Sequence, residues 1–285
     1  MRKDRGIITI ATGHYLYGRM AYALAATVKA YTDLPVCVLA DEEALSHLTK
    51  EHRAVFDEII FIQDGGVASK YDLQKLSPFS KTIYLDADTI ITSPKIEALF
   101  SELDSVHFTS TNEGYYDVDK GEDKSNRKYL WWADIRETTK LYGLKGKVYQ
   151  LRSEFMYFDK SKEAKKLFDT AKKIAAAPKL KTTTFAGGIP DEFSFQIAAN
   201  MLGMQPHIEG FQPLWWFHLH RHVSPSIYEL REAYYGVSLG GNSGFNDSVK
   251  YLYQNICESS CQILGLPKPF GLLAKKLVIP SRAHI

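Results

Sequence analysis

Lys81-Thr82-Ile83-Tyr84-Leu85-Asp86-Ala87-Asp88-Thr89 is the stretch that decides how this chain is read. An apolar and aromatic run leads straight into two carboxylates separated by one small residue. Residues 81–86 read as a buried strand. In extended chain, residues two apart point to the same side, so Asp86 and Asp88 are expected to converge on one cation. Carboxylate oxygens suit Mg²⁺ or Mn²⁺, hard ions that also accept phosphate oxygens. Ala87 adds no bulk between them. The same acids also serve as plain turn or capping residues after a strand. The buried lead-in is what lifts the string above a bare Asp-x-Asp.

Upstream, strand-like and helix-like segments alternate. Residues 6–11 are a β-branched apolar run ending in Thr12-Gly13, a strand and a turn. Over 17–31, Met20, Leu24, Thr27, Val28 and Tyr31 fall at helical spacing. Residues 35–40 read as a second strand with Asp41 at its C-terminal end, and 58–62 as a third. Residues 71–76 read as a helical turn stopped near Pro78. The fourth strand is 81–86 and a fifth is 106–110. This rhythm means parallel strands joined by crossover helices, an α/β fold. Ligands of such sheets bind at the C-terminal ends of strands. Thr12-Gly13-His14-Tyr15, Asp41 and Asp86-Ala87-Asp88 all fall at such ends.

The second half is less regular. Residues 112–126 are polar and rich in Asp, Gly and Tyr, and read as a long loop. Residues 132–141 read as helix, 154–158 as strand and 162–174 as an amphipathic helix. A loop over 182–190 carries Gly187-Gly188. Residues 191–201 read as a helix opened by two acids, which favour its positive end. Residues 213–220 form a very aromatic strand. After Pro267 the tail mixes Lys268, Lys275, Lys276 and Arg282 with Phe270, Leu272, Leu273 and Leu277. Such a tail either packs on the domain or lies on an anionic membrane surface. The expected organisation is one domain over 1–265 and a basic, apolar tail over 266–285.

With 285 residues, 45% of them hydrophobic and 24% charged, the chain has the make-up of a soluble globular protein with a sizeable core. A net charge of +2 is not the basic excess of a nucleic-acid-binding domain. The three cysteines, Cys37, Cys257 and Cys261, are too few for a disulfide framework and suit a reducing compartment. Cys257 and Cys261, four apart, read as two thiols packed on one helix face. The apolar run 7–11 is too short for a signal-peptide core, and no stretch has the length of a membrane span. A cytoplasmic location, or a peripheral one at a membrane surface, is expected.

Tyr84-Leu85-Asp86-Ala87-Asp88-Thr89 resembles the donor-metal motif of GT-A fold glycosyltransferases, especially the family 8 group of glycogenins and lipopolysaccharide galactosyltransferases. The lead-in Leu76-Ser77-Pro78-Phe79-Ser80-Lys81-Thr82 and the strand Leu34-Pro35-Val36-Cys37-Val38-Leu39 are similar to theirs, and the likeness spans residues 6 to 225. It implies a mostly parallel central sheet flanked by helices, a nucleotide-sugar donor (a UDP-sugar), and Mn²⁺ or Mg²⁺. Thr12, Gly13, His14 and Tyr15 would meet the nucleotide, with Tyr15 able to stack on the base. Asp41, Lys70 and Ala87 join this donor-binding set. Asp86, Asp88 and His218 would hold the metal. Asp191 and Glu192 would lie near the anomeric carbon, and transfer would retain configuration.

The sequence departs from the family at three places. Arg152-Ser153-Glu154 stands where relatives carry Asn-Ala-Gly near the sugar. Ser224, before Pro225, stands where they carry a lysine that contacts phosphate, a task that falls to Arg221 or Lys70. Glu192 stands where they carry glutamine. A carboxylate there acts as nucleophile, steadies an oxocarbenium-like centre, or only hydrogen-bonds the sugar.

Other candidates keep two readings each. His218-x-His220-x-His222 puts three rings on one strand face, either a zinc site or one ligand, His218, with the others in an acceptor cleft. His220 is the next candidate ligand. Trp131, Trp132, Trp215 and Trp216 are packing residues or platforms for a sugar or base. Loops 112–126 and 182–190 are expected to close over the donor. The acceptor is a saccharide, a lipid-linked glycan, a protein or a modified nucleic-acid base. Two alternatives remain: a sugar nucleotidyltransferase, for which Thr12-Gly13-His14 lacks a basic glycine-rich loop, and a nucleotide-sugar-binding module without turnover.

Overall fold

The computed structural model describes residues 3–63, 67–126, 131–183, 188–216, 226–239 and 247–269. Contacts divide the chain into two compact units. Among the described residues, unit 1 takes those of Met1–Gly66, Ser77–Asp104 and Pro213–Ile279, and unit 2 those of Val67–Leu76 and Ser105–Gln212.

Unit 1 is built on four parallel strands. They are β1 (Lys3–Ala11), β2 (Val36–Ala40), β3 (Glu58–Phe61) and β4 (Phe79–Leu85), in the order β3-β2-β1-β4. Ile8 pairs with Cys37 on one side and Tyr84 on the other. Every residue of β2 is buried, as expected of a central strand covered on both faces. This is the parallel sheet expected from residues 6–86.

Helix α1 (Tyr15–Tyr31) follows β1 and is buried throughout 20–28, four of those residues being alanine. Gly18 lets it approach closely. A Cβ there would lie 1.9 Å from the Ala44 carbonyl oxygen, in α2 (Glu42–Leu45). Short helix α3 (Lys50–Arg53) is closed by a capping box between Thr49 and His52.

A second, smaller sheet orders β5 (Thr89–Ile91), β10 (Gly236–Ser238) and β9 (Leu214–Trp216), with β10 in the middle. Around it, Trp215, Val237, Leu239, Tyr253 and Cys257 share one apolar cluster with Ile90 and Ala23. Helices α5 (Leu99–Glu102), α9 (Ile227–Ala233) and α10 (Asp247–Leu264) complete the unit. Cys257 and Cys261 are buried free thiols on α10. Tyr22 donates to the Pro267 carbonyl at 2.6 Å, beside Cys261 Sγ.

Unit 2 contains antiparallel strands β6 (Phe108–Asp117), β7 (Glu122–Asp123) and β8 (Lys147–Asp159). Its helices are α4 (Leu73–Leu76), α6 (Ile135–Tyr142), α7 (Lys162–Ala176) and α8 (Asp191–Met201). The core is aromatic: Phe108, Phe158 and Phe195 all pack around Phe168, and Tyr71 stacks on Phe195. Residues 112–126, read above as a loop, are largely strand. The Asn112 side chain is satisfied internally: it donates to the Gly114 and Gln150 carbonyls and accepts from the Gly210 N–H. Likewise β8 starts seven residues before the expected 154, at Lys147.

No helix among the described residues is long and apolar enough to cross a membrane. The tail from 270 lies outside the described residues.

Candidate functional site

In unit 1, three strands end in turns that carry the residues singled out above. After β1, Thr12 is buried and Gly13 takes φ +79°, a left-handed conformation open to glycine. The Gly13 N–H donates to Asp41 Oδ2 at 2.6 Å, and Asp41 Oδ1 caps α2 by accepting from the Ala44 N–H at 2.8 Å. One carboxylate thus ties the turn after β1 to the turn after β2. His14 is the N-cap of α1. Tyr15 stacks on His14 and on His47, at centroid distances of 4.4 and 4.1 Å, and the Arg19 guanidinium lies 4.7 Å from its ring centre. Sequence reading missed His47, which is far from Tyr15 in the chain, and Arg19, one helical turn after it.

After β4 comes Asp86-Ala87-Asp88. The strand stops at Leu85, and the Thr89 N–H returns to the Asp86 carbonyl at 3.0 Å. The carboxylates therefore sit on a tight turn, not on extended chain, and the argument from two-residue alternation does not apply to them. Both are half-buried and Ala87 is buried. Tyr84 donates to Asp86 Oδ1 at 2.6 Å, and the Leu239 N–H donates to the Asp88 carbonyl at 3.2 Å. Tyr253 is buried, and the Asp88 charge adds to the burial that pushes its phenol well above the ordinary value.

Among the described residues no group of three His, Cys, Asp or Glu is placed to hold a metal ion. The expected third ligand, His218, lies outside the described residues, as do His220, Arg221, His222, Ser224, Pro225 and Gly187. The donor set that is described suits a hard cation, two carboxylates in a turn. It supplies part of the six oxygen positions such ions take, the remainder being open to phosphate and water.

Unit 2 holds a second constellation, made by two irregularities in the β6–β8 ladder. Ser110 pairs with Met156 but Thr111 with Arg152, so Ser153, Glu154 and Phe155 form a bulge on β8. Asn112 pairs with Leu151 and Tyr115 with Tyr149, so Glu113 and Gly114 form a bulge on β6. Bulges re-aim side chains, and these bring together groups that regular alternation would separate. Arg152 Nη1 pairs with Glu113 Oε1 at 2.8 Å, and Nη2 with Glu154 Oε1 at 2.8 Å, with all three side chains buried. Ser153 donates to Asp191 Oδ2 at 2.5 Å, and Lys70 Nζ reaches the same oxygen at 3.0 Å and Ser153 Oγ at 3.1 Å. The Lys70 side chain is only 12% exposed and is engaged by Asp191.

Asp191 and Glu192 open α8 as expected, where the helix dipole favours negative charge. Trp132 Nε1 donates to Glu192 Oε2 at 2.8 Å. Burial pushes Glu192 up to about 7, and the Arg152 charge opposes it, although part of the side chain still reaches solvent. A carboxyl titrating near neutrality is suited to proton or charge work. Of the four tryptophans, Trp131 and Trp215 are core residues, while Trp132 and Trp216 are half-buried. Beside Asp191 and Glu192 at the helix start, the sequence signal for this constellation is the charged pair Arg152 and Glu154 on a buried strand.

The α/β architecture, with a parallel sheet whose strand ends carry an Asp-Ala-Asp turn, is that of the GT-A fold. Solved structures that share it are glycosyltransferases. The WbbM bifunctional glycosyltransferase, in its apo form, aligns at TM-score 0.57 and 11% identity, over 94% of this chain and 50% of that one. The galactosyltransferase LgtC, with donor and acceptor sugar analogs, aligns at 0.53 and 13%, over 92% and 98%. The apo form of mouse xyloside xylosyltransferase 1 aligns at 0.50 and 12%, over 85% and 99%. The chain thus spans half the length of WbbM, and at these identities the likeness is one of fold. No family model and no curated protein matches the sequence.

Proposed function

We propose that the chain is a metal-dependent glycosyltransferase. It moves a sugar from a nucleotide-diphosphate donor, a UDP-sugar, to an acceptor hydroxyl with retention of configuration. The observation that carries this reading is the Asp86-Ala87-Asp88 turn at the C-terminal end of β4. It stands on the same sheet edge as the turns after β1 and β2, which Asp41 ties together.

We assign nucleotide and metal to unit 1. Asp86 and Asp88, with His218, would hold Mn²⁺ or Mg²⁺, which stabilises charge on a departing diphosphate. Thr12 and Gly13 line the nucleotide-side turn, and the Tyr15 ring is the aromatic surface for the base. Sugar-side work falls to unit 2. Lys70 and Ser153 hold the Asp191 side chain oriented. Glu192, ionising near neutrality, supplies a carboxylate for the reacting carbon.

The test is incubation with Mn²⁺ and a panel of UDP-, GDP- and ADP-sugars, with free nucleotide diphosphate read by mass spectrometry. The expected result is slow hydrolysis of one donor, abolished in Asp86→Ala/Asp88→Ala. Absence of turnover together with absence of metal-dependent nucleotide binding in calorimetry would sink the proposal. Metal-dependent binding with no turnover, even with saccharide acceptors added, would point to a binding module. Pyrophosphorolysis of the donor would point to a nucleotidyltransferase.

A further inference from the structure

Trp132 is the one non-glycine position with positive φ among the described residues, at +63°. A bulky side chain in the left-handed region is strained, and such strain persists only where neighbours over-determine it. Here they do. Trp131, just before it, is buried. Its indole donates to Asp123 Oδ2 at 3.1 Å, and its carbonyl accepts from Gln196 Nε2, on α8, at 3.3 Å. The Trp132 carbonyl accepts from the Thr183 N–H at 2.7 Å. Asp134, just after it, caps α6. With both flanks pinned, the left-handed residue turns the indole toward the first turn of α8, where it donates to Glu192.

We propose that Trp132 is a positioning residue: its strained backbone aims the indole N–H at Glu192 and holds that carboxyl in the orientation sugar transfer requires. This rests on the glycosyltransferase reading above. The other groups facing Glu192 cannot replace this contact. Arg152 and Glu154 on β8 and Asp191 on α8 act on it through charge, with Glu113 on β6 and Lys70 neutralising partners of that set. Charge sets how readily Glu192 ionises, and a directional N–H sets where its oxygen points. Hydrogen bonding to the charged form also opposes the upward push of burial, so removing the indole N–H should make Glu192 harder to ionise.

Two substitutions separate the N–H from the ring. Trp132→Phe keeps an aromatic ring and removes the donor, whereas Trp132→His keeps a ring N–H. For the Phe variant, kcat should fall about tenfold, the scale of one charge-assisted hydrogen bond, with KM for the donor within about twofold. The acidic limb of its pH profile should move upward, and the His variant should recover part of kcat. Independently of turnover, infrared titration of ¹³C-glutamate-labelled protein, with Glu192→Gln assigning the band, should show Glu192 ionising at higher pH in the Phe variant. Equal kcat and pH profile in Trp132→Phe and wild type, equal losses in the Phe and His variants, or an unmoved Glu192 titration would each overturn the proposal. If wild-type protein neither turns over nor binds any donor, the glycosyltransferase reading fails, and the carboxyl titration alone decides whether Trp132 positions Glu192.

Discussion

Asp41 places its two oxygens on two different backbone N–H groups, Gly13 at 2.6 Å and Ala44 at 2.8 Å. A single short side chain is thus both a helix cap and a tether between two strand ends. Asp41→Ala should lower stability by about 1–2 kcal/mol, the range of a lost cap plus an orphaned donor. It should also weaken UDP binding, because the turn after β1 loses its anchor. Asp41→Asn, which keeps one acceptor oxygen, should fall between. Urea denaturation with and without UDP reads both effects.

Gly18 is a packing requirement. A methyl group there meets the Ala44 carbonyl oxygen, a backbone atom with no rotamer to change. Alanine normally favours a helix over glycine by about 1 kcal/mol. Here the sign should reverse: Gly18→Ala should destabilise by about 1–3 kcal/mol through overpacking, read as a lower denaturation midpoint at unchanged m-value.

Glu192 should make stability fall with rising pH. Its folded-state value is about 7 against the ordinary 4.5, so between those values the folded chain holds a proton the unfolded chain has lost. Stability therefore declines as pH rises from about 4.5 to about 7 and levels off above. Glu192→Gln carries no such titration, and its amide oxygen still accepts from Trp132. The variant should be more stable than wild type above pH 7, with the gap closing toward pH 4.5. Thermal melts across that range measure it.

Arg152 is the counter-charge for two buried carboxylates, Glu113 and Glu154. Arg152→Met should cost about 3–5 kcal/mol, because both acids stay buried without the cation that offsets their charge. Adding Glu113→Gln and Glu154→Gln to Arg152→Met should recover most of that loss. Chemical denaturation of the single and triple variants checks both statements.

The parallel half of the fold was readable because its strands are apolar throughout and end in polar turns, as Val36-Cys37-Val38-Leu39-Ala40 before Asp41 illustrates. The antiparallel strands were harder. The second half of strand β6 reads as loop because Asn112, Glu113 and Gly114 interrupt it, and only the partner strand shows that Glu113 and Gly114 form a bulge. For the candidate site, the turn residues were legible as residues but not as geometry, since Asp86 and Asp88 leave the strand before alternation can place them. The Trp132–Glu192 bond joins positions 60 apart in the chain, with no spacing or motif to announce it. Lys70 was expected at the diphosphate, and its partner Asp191 had no local signal either.

Strand β10 lies between β5 and β9, with Ser238 opposite Thr89. That placement sets a timetable for a nascent chain. The Asp86-Ala87-Asp88 turn and strand β5 leave the ribosome early, but several of their partners come only after Pro213. These are β10, the Leu239 N–H that holds the Asp88 carbonyl, and the Tyr253 and Cys257 side chains that fill the cluster beneath. Such distant pairing is slow and leaves β5 exposed meanwhile. A chain released before Ser238 would carry every strand of the parallel sheet yet lack the support that sets its acidic turn, so nucleotide binding should be among the last properties to mature during synthesis.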